Sequence, residues 1–300
     1  MADALRSFGE EALAAVVRGG FALLRALSPD RASDLGAAVA PVLGRVTSAN
    51  RIARENIAAA FPEKSAAERA AILRESWANL GRTACEYVHL GALWDWDPDR
   101  AAPGRIEIPA ESAERFIRLR EDGRGAILFG AHLGNWELPA VAGRRHGLPS
   151  AALYRTPNNR AIARDVLAMR RDVMGELIPA SNSAPIRMME ALDKGLHIGM
   201  LVDQRFGRGP KVRFFGRAAT ANPLLARLAR RFDLPIHGTR AIRLPGNRFR
   251  LELTEELPPV RDARGQVDVE ATTQAINDVI EGWIREYPGQ WLWQHRRWRM

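Results

Sequence analysis

From residue 124 onward, short apolar runs alternate with stretches of helical periodicity. The apolar runs lie at residues 126–129, 151–154, 197–202 and 235–242. Helical patterns lie between them, at about 137–146, 160–175, 184–193 and 222–233. Because strands that alternate with helices assemble into a sheet covered by those helices, the pattern predicts an α/β fold with a sheet flanked by helices.

Two further elements are predicted after residue 243. Residues 244–257 are divided by Pro245-Gly246-Asn247, which is typical of a hairpin turn. This hairpin is expected at an antiparallel edge, which would make the sheet a mixed one. A final helix is expected at 269–287.

Upstream, residues 1 to about 95 show helical periodicity only. Breaks in the pattern are predicted at Ser28-Pro29, Pro41 and Phe61-Pro62. Ser65 and Glu68 form a capping box that begins the next helix. These patterns predict an N-terminal helical region over 1–95 and an α/β region over 96–300, joined in one compact domain.

The first helical stretch is amphipathic. On a helix from Asp3 to Leu27, the charged side chains occupy an arc of roughly 140°. Such a helix packs on the protein or lies in a membrane interface, and the pattern alone slightly favours packing. The amino terminus shows no secretory cleavage pattern and no apolar run of about eighteen residues.

Composition narrows the classes of partner. The 300 residues are 46% hydrophobic and carry a net charge of +9, which favours nucleic acid, anionic lipid or an acidic protein as a partner. No nucleic acid is expected, because the sequence carries no recognition motif for it. The single cysteine, Cys85, excludes an internal disulfide and a cysteine-rich metal site, and its helical context predicts a buried side chain. Neither G-x-S-x-G nor H-E-x-x-H is present.

The strongest candidate for chemistry is GAILFGAHLGNWE at 125–137, in which His132 and Glu137 are five positions apart. Neither a helix nor a strand brings such a pair together. They can converge if a strand ends in a tight turn that leads into a helix beginning at Trp136, a corner where α/β sheets place their chemistry. One interpretation is a general base with its orienting carboxylate. The other is a histidine that caps the turn and a glutamate at a helix start, and the spacing favours neither.

The same residues carry a resemblance to a known family. HLGNWE, from His132 to Glu137, resembles the H-x4-D/E motif of glycerolipid-type acyltransferases, in the form found in the late acyltransferases of lipid A biosynthesis. Four further blocks are similar to that family in the same order: NIAAAFP at 56–62, YRTPNN at 154–159, Asp203-Gln204 with Phe214-Phe215-Gly216 and Thr220, and QWLWQHRRWR at 290–299. The resemblance spans about residues 50 to 300.

The resemblance implies an O-acyltransferase that moves a fatty acyl chain from acyl carrier protein to a hydroxyl of a phosphorylated lipid A precursor. It implies that His132 deprotonates this hydroxyl and that Glu137 orients and charges the imidazole. No metal is expected, and no cofactor beyond the acyl carrier protein that brings the acyl chain. The implied substrate-binding residues are Asn135, Arg155, Asn159, Asp203, Gln204, Arg208, Arg213, Phe214, Phe215, Gly216 and Thr220.

Several of these residues have a second interpretation. Arg155 follows a predicted strand, so it is expected at the same sheet end as His132, where it holds a phosphate or an oxyanion or is an ordinary surface arginine. Asp203 orients Arg155 or caps the loop that follows it. The basic segment 207–217 either binds phosphate groups while its phenylalanines line an acyl channel, or forms a solvated hairpin.

The C-terminal segment mixes tryptophan with arginine, which suits a lipid headgroup region. Alternatively, Trp291 and Trp293 pack in the core and only Arg296, Arg297 and Arg299 reach outward. The resemblance also implies a peripheral or weakly anchored protein on the cytoplasmic face of the bacterial inner membrane. The expected partners are acyl carrier protein, a phosphorylated glycolipid acceptor and an anionic membrane surface, which residues 1–27 would contact.

Two alternative functions stay open. One keeps the reaction and changes the acceptor to another lipid, such as a lysophospholipid or a phosphoinositide mannoside. The other is a non-catalytic lipid-binding protein, which predicts that His132 can be lost without consequence.

Overall fold

The computed structural model describes residues 2–100, 104–157 and 159–298, with side chains from residue 10 onward in these ranges. Before residue 100, every described regular element is helical, as the sequence predicts. These elements are α1 (Ala2–Arg25), α2 (Pro29–Gly44), α3 (Ser48–Ala60), α4 (Ala66–Glu86) and α5 (Leu90–Leu93), with a 3-10 turn at Tyr87–His89. None of the described helices is both long and apolar enough to cross a membrane.

Most helix ends follow the sequence signals. Ser28 caps α2 by accepting a hydrogen bond from the backbone N–H of Arg31, and α3 ends before Phe61. The capping box of Ser65 and Glu68 begins α4, where each side chain accepts from the backbone of the other residue. The breaks predicted at Ser28-Pro29 and Phe61-Pro62 and the start of α4 are therefore confirmed.

The break predicted at Pro41 is wrong. Pro41 lies inside α2, which continues to Gly44. A proline within a helix removes one backbone hydrogen bond, but α2 packs closely along α4. A Cβ on Gly36 or on Gly81 would lie 2.1 Å from the carbonyl oxygen of the other glycine. This close packing holds the helix through the proline.

The described residues after 104 form nine strands. They are β1 (Ile106–Glu107), β2 (Ile127–Gly130), β3 (Ser150–Tyr154), β4 (Glu176–Pro179), β5 (His197–Leu201), β6 (Lys211–Phe214), β7 (Arg217–Thr220), β8 (Ile236–Leu244) and β9 (Arg248–Glu256). Seven strands form one sheet in the order β1-β9-β8-β2-β5-β3-β4, and β6 pairs with β7 separately. β8 and β9 pair antiparallel, whereas the other described pairs of the large sheet are parallel. The predicted mixed sheet is confirmed.

The same part of the chain forms six further helices. They are α6 (Ala110–Glu121), α7 (Leu138–Arg145), α8 (Arg160–Val173), α9 (Ala184–Asp193), α10 (Leu224–Phe232) and α11 (Val269–Glu286). The sequence pattern does not predict α6, β1 or β4. The two residues of β1 are too few to show alternation. β1 pairs with β9, so the predicted hairpin is present but does not form the edge of the sheet.

The sheet brings three loops to one edge. β2 lies between β5 and β8 and runs parallel to both. Gly130 is opposite Leu201 in the register of β2 and β5, so His132 and Asp203 each follow a paired strand end by two residues. Arg155 follows β3, which pairs parallel with β5, and therefore reaches the same edge, as predicted. Open parallel sheets bind their ligands here.

The C-terminal segment belongs to the core. Trp291, Trp293 and Trp298 are buried, so its interpretation as a headgroup region is wrong, and the alternative that Trp291 and Trp293 pack inside is confirmed. That alternative also expected the arginines to reach outward. This is wrong for Arg297, whose guanidinium is buried over the ring of Phe214.

Two other expectations concern Cys85 and Arg299. Cys85 is partly exposed instead of buried. The buried face of α4 passes through Thr83 and Glu86, and Cys85 lies beside that face. Arg299 lies outside the described residues.

Candidate active site

A strand, a turn and a helix form the corner that the sequence predicts. β2 ends at Gly130, and α7 begins at Leu138 instead of at Trp136. Gly134 has a φ of 60°, and a Cβ there would lie 1.8 Å from the carbonyl oxygen of Ala241. Only glycine fits at this position, so Gly134 allows the turn to pass close to β8.

His132 lies at the start of this turn and is paired with Asp203. The His132 Nδ1 and Asp203 Oδ1 atoms are 2.8 Å apart. The other carboxylate oxygen, Oδ2, accepts from the backbone N–H of His132 at 2.8 Å and from Trp291 Nε1 at 2.7 Å. With Nδ1–H donating to the carboxylate, the tautomer leaves the lone pair on Nε2. The His132 side chain is 19% exposed and that of Asp203 is 1% exposed, so the histidine is the accessible member of the pair.

The surroundings of the pair favour the charged forms of both His132 and Asp203. Burial favours the neutral imidazole, but the charge and hydrogen bond of Asp203 outweigh burial and raise the pKa of His132 above its usual value. Burial likewise opposes ionisation of Asp203, but His132 and the other hydrogen-bond donors outweigh it and lower the pKa of Asp203. A proton taken up at Nε2 is therefore stabilised by a fixed neighbouring carboxylate.

The expected contact between His132 and Glu137 is replaced by another ion pair. Glu137 Oε1 accepts from Arg170 Nη2 at 2.5 Å, and the Arg170 guanidinium lies over the rings of Tyr87 and Tyr154. This partner draws the carboxylate toward α8, so the group that orients the imidazole is Asp203. The charge of Glu137 still acts on His132 from a distance and contributes to its raised pKa.

Asn135, an expected substrate-binding residue, lies in the turn and bonds to groups on both sides of it. Its Nδ2 donates to Glu86 Oε2 at 2.8 Å, and its Oδ1 accepts from the backbone N–H of Glu137. Glu86 is fully buried and is held by both terminal nitrogens of Arg243 at 2.6 and 2.8 Å. Ser33 of α2 donates to the same carboxylate at 2.6 Å. The turn is therefore tied through Asn135 to a buried ion pair.

α4 supplies a polar face that supports the turn from below. Asn79 Nδ2 and Thr83 Oγ1 both donate to the carbonyl oxygen of Gly134, at 3.0 and 3.1 Å. Arg243 Nε in turn donates to Asn79 Oδ1 at 2.9 Å. Asn79, Thr83 and Glu86 are spaced by four and three residues, so they share one helix face. A polar face on a long helix is the signal that could have indicated these residues, whereas nothing in the sequence singles out Arg170 or Arg243.

Three other predicted residues differ in their surroundings. The side-chain nitrogen of Gln204 is 3.5 Å from His132 Nε2, so it borders the reactive atom. Arg155 is exposed at the shared edge of the sheet. Asn159 caps α8 by accepting from Ile162 N–H at 3.0 Å, and it donates to the carbonyl oxygen of Glu10 in α1 at 2.9 Å. Its amide is thus engaged in joining two helices.

The predicted basic hairpin is formed by β6 and β7, and its arginines are exposed. Arg208 lies just before the hairpin, on an open depression with Arg227, Arg230 and Arg231 of α10. Arg213 borders a second depression, where carboxylates of α11 also lie. The first depression is therefore the more strongly basic of the two.

Phe214 and Phe215, which are expected to line an acyl channel, pack among other aromatic side chains. Both are buried. The ring of Phe215 lies 5.3 Å from that of Phe61 and 6.2 Å from that of Trp293, and Phe214 lies 6.0 Å from Trp298. Their aromatic partners come from the N-terminal and C-terminal parts of the chain, so the two phenylalanines join these parts to the hairpin.

The last two predicted residues have backbone roles. Gly216 forms the hairpin turn with a φ of 68°, a conformation that glycine adopts readily. Thr220 ends β7, and its carbonyl oxygen accepts from Arg297 Nη1 at 2.8 Å. Within the described ranges, no group of three or more His, Cys, Asp or Glu residues is placed to hold a metal ion.

The fold and the site define an α/β protein with a carboxylate-bound histidine at the carboxyl ends of its central strands. Comparison with known proteins gives the family. The model of the bacterial lipid A biosynthesis acyltransferase family matches residues 4–300. The chain belongs to this family, and the resemblance inferred from its motifs is confirmed.

Relatives from Escherichia coli (strain K12) agree with this membership. The lipid A biosynthesis palmitoleoyltransferase is 30% identical over 273 residues, which cover 88% of this chain and 82% of the relative. The lauroyltransferase is 26% identical over 269 residues, covering 83% and 78%. The myristoyltransferase is 24% identical over 284 residues, covering 89% and 81%.

Proposed function

We propose that this protein is an O-acyltransferase that moves a fatty acyl chain from acyl carrier protein to a hydroxyl of a lipid A precursor. The observation that carries the proposal is the 2.8 Å contact between His132 Nδ1 and Asp203 Oδ1, which makes Nε2 the proton acceptor. The family match supports the reaction class. The relatives' names, which specify different acyl groups, support lipid A biosynthesis as the setting.

The proposed reaction is direct. His132 Nε2 removes the proton of the acceptor hydroxyl as its oxygen attacks the thioester carbonyl carbon. The new C–O bond forms, the C–S bond breaks, and the leaving thiolate takes the proton from the imidazolium. Asp203 orients the ring and stabilises the imidazolium in between. A positioned base contributes about 10² to 10⁴ in rate.

Glu137 acts on His132 without contacting it. It holds Arg170 and adds negative charge near the imidazole, while Asn135 fixes the turn that carries both His132 and Glu137. Gln204 borders Nε2 and would contact the acceptor or the carbonyl oxygen. The proposal needs no metal and no cofactor beyond the acyl-carrier substrate.

Exposed arginines suit the two proposed substrates, since acyl carrier protein is acidic and the acceptor carries phosphates. Arg155 would hold a phosphate or the developing oxyanion, because its planar fork can donate two parallel hydrogen bonds. Arg208 and Arg213 would attract the acidic carrier or the acceptor. We place the protein at the cytoplasmic face of the inner membrane, where α1 would lie against an anionic surface.

The substrate assignment is tested with purified protein, acyl-loaded carrier protein and a panel of acceptors. We expect acyl transfer to a phosphorylated lipid A precursor and little transfer to a lysophospholipid or a phosphoinositide mannoside, measured by mass spectrometry of the lipid product. His132→Ala, checked for folding by circular dichroism, should lose at least about 10² in kcat. Transfer to another lipid alone would contradict the acceptor, and an active His132→Ala variant would contradict the mechanism.

A further inference from the structure

α2 carries a stripe of large apolar side chains on its outer surface. Leu35, Val39, Val42, Leu43 and Val46 are between 41% and 89% exposed. Their spacing of three to four residues places them on one helix face, with Val46 continuing it just past the helix end. We call these five residues the α2 stripe. A contiguous exposed apolar patch of this kind marks an interaction site.

The opposite face of α2 fixes the direction of the stripe. Gly36 meets the backbone of Gly81 in α4, and a Cβ on Gly44 would lie 2.5 Å from the ring of Trp77. These contacts leave no room for the helix to rotate about its axis. The α2 stripe is therefore a permanent feature of the surface.

The charges of α2 are divided between its two sides. Asp30 binds Arg105 and Asp34 binds Arg82, each at 2.6 Å, so both acidic side chains face arginines of the protein body. Arg31 is exposed before the stripe. Arg45 is exposed beside its end, and neither arginine belongs to an ion pair within the part of the chain that the structure describes. The outer side of α2 is thus apolar with unneutralised positive charge at both ends.

α1 carries a second exposed apolar row. Leu13, Val16 and Leu23 are each more than half exposed and are spaced by three and seven residues. Three residues join α1 to α2. The combination of apolar rows with flanking arginines matches the headgroup and acyl boundary of an anionic bilayer.

We propose that the α2 stripe inserts into the interfacial layer of an anionic membrane, with Arg31 and Arg45 at lipid phosphates. The proposal rests on the proposed function in one respect, since an enzyme that acylates a lipid must meet it at a bilayer. It adds a second membrane-contacting element to α1 and gives the catalytic domain a fixed orientation toward the surface.

The test uses the full chain and vesicles of two compositions, neutral phosphatidylcholine alone or mixed with anionic phosphatidylglycerol. Binding is measured by co-sedimentation for Val42→Gln/Leu43→Gln, for Val46→Gln and for Arg31→Gln/Arg45→Gln. Ile186→Gln is the matched control, because Ile186 of α9 is also exposed and apolar. Val46→Gln lies outside the helix, so it tests the stripe without a risk to folding.

We expect Val42→Gln/Leu43→Gln to bind anionic vesicles about ten-fold more weakly than the wild type. Val46→Gln should bind several-fold more weakly, and the arginine variant should lose most of its preference for anionic vesicles. Ile186→Gln should bind as the wild type does. Equal binding by the stripe variants and the control would overturn the proposal.

Two further measurements separate the alternatives. A dimer in sedimentation equilibrium that Val42→Gln/Leu43→Gln dissociates, with vesicle binding unchanged, would assign the stripe to a second copy and overturn the proposal. Acyl transfer is assayed separately in detergent micelles, where we expect the stripe variants to retain activity. Weakened vesicle binding by these variants would support the membrane contact even if the wild type transferred no acyl chain.

Discussion

Asp203 is a buried carboxylate with both oxygens engaged. Oδ1 meets His132 Nδ1, and Oδ2 accepts from the backbone of His132 and from Trp291 Nε1. These donors offset the cost of burying a negative charge, so the carboxylate stays ionised. The imidazole therefore faces a fixed charge that selects its tautomer before any substrate arrives.

The pairing of Glu137 with Arg170 predicts strong coupling between these two residues. Glu137→Gln and Arg170→Gln should each lower kcat, and each should lower the free energy of unfolding by about 3–5 kcal/mol, as is usual when one partner of a buried pair is removed. The double variant should be much less impaired than the sum of the two. Kinetics and denaturant unfolding of the wild type, the two single variants and the double variant give the coupling energy between Glu137 and Arg170. We expect this energy to be about 1–3 kcal/mol. Simple additivity would show that Glu137 has another partner.

At this scale, the sequence indicates the proposed base but not the residue that orients it. His132 stands out because it follows an apolar run and a glycine. Glu137 is near in sequence, yet Asp203, 71 positions away, binds the imidazole. The pairing depends on the strand register of β2 and β5, and register between distant strands leaves no local mark in the sequence.

At the scale of elements, α4 supports the turn that carries His132. It contributes donors to the carbonyl oxygen of Gly134 and the carboxylate that holds Asn135. Burial alone would raise the pKa of Glu86, but the bidentate contact with Arg243 outweighs it and lowers the pKa, so the buried pair is ionic. The N-terminal helices are thus part of the site's framework.

Removal of the Glu86 charge should loosen this framework. Glu86→Gln leaves the buried guanidinium of Arg243 without its counter-charge, so we expect a loss of about 3–5 kcal/mol in unfolding free energy together with a lower kcat. Glu107→Gln is the control, because Glu107 binds Arg248 and Arg250 near the surface, where such pairs contribute about 0–1 kcal/mol. Denaturant unfolding and steady-state kinetics compare the two. Equal losses in both variants would refute the supporting role.

Elements with strong local signals were predictable, and those defined by packing were not. The runs that became β2 and β5 are apolar because helices cover both faces of the sheet. β1 has two residues and exists because it pairs with β9. The continuity of α2 through Pro41 depends on contact with α4, which the local preference of proline does not reveal.

At the scale of the whole molecule, the net charge of +9 is distributed unevenly over the surface. Many arginines are held in ion pairs, whereas Arg208 shares an open depression with three arginines of α10. Such a surface steers an acidic partner and makes its association sensitive to salt. The composition predicted an acidic partner, but where the basic surface lies became clear only from the fold.

Charge reversal at Arg208 should affect the association with acyl carrier protein more than the chemical step. We expect Arg208→Glu to raise the KM for acyl carrier protein several-fold with little change in kcat, and added salt should reduce the difference from the wild type. Arg118→Glu, on the exposed side of α6, is the control and should leave KM unchanged. An unchanged KM for Arg208→Glu at low salt would place the carrier elsewhere.

The central claim is that His132 acts as a base whose pKa is set by Asp203, and the pH dependence of single-turnover acyl transfer tests it most directly. Because the base form exists only above the pKa, and Asp203 raises that pKa, the wild-type rate should rise with pH through a midpoint above about 6.5. In Asp203→Asn, burial still lowers the pKa of His132, but the carboxylate that raises it is absent. The midpoint should therefore move to lower pH, and the plateau rate should fall. The same midpoint in both proteins, or a rate independent of pH, would contradict the account.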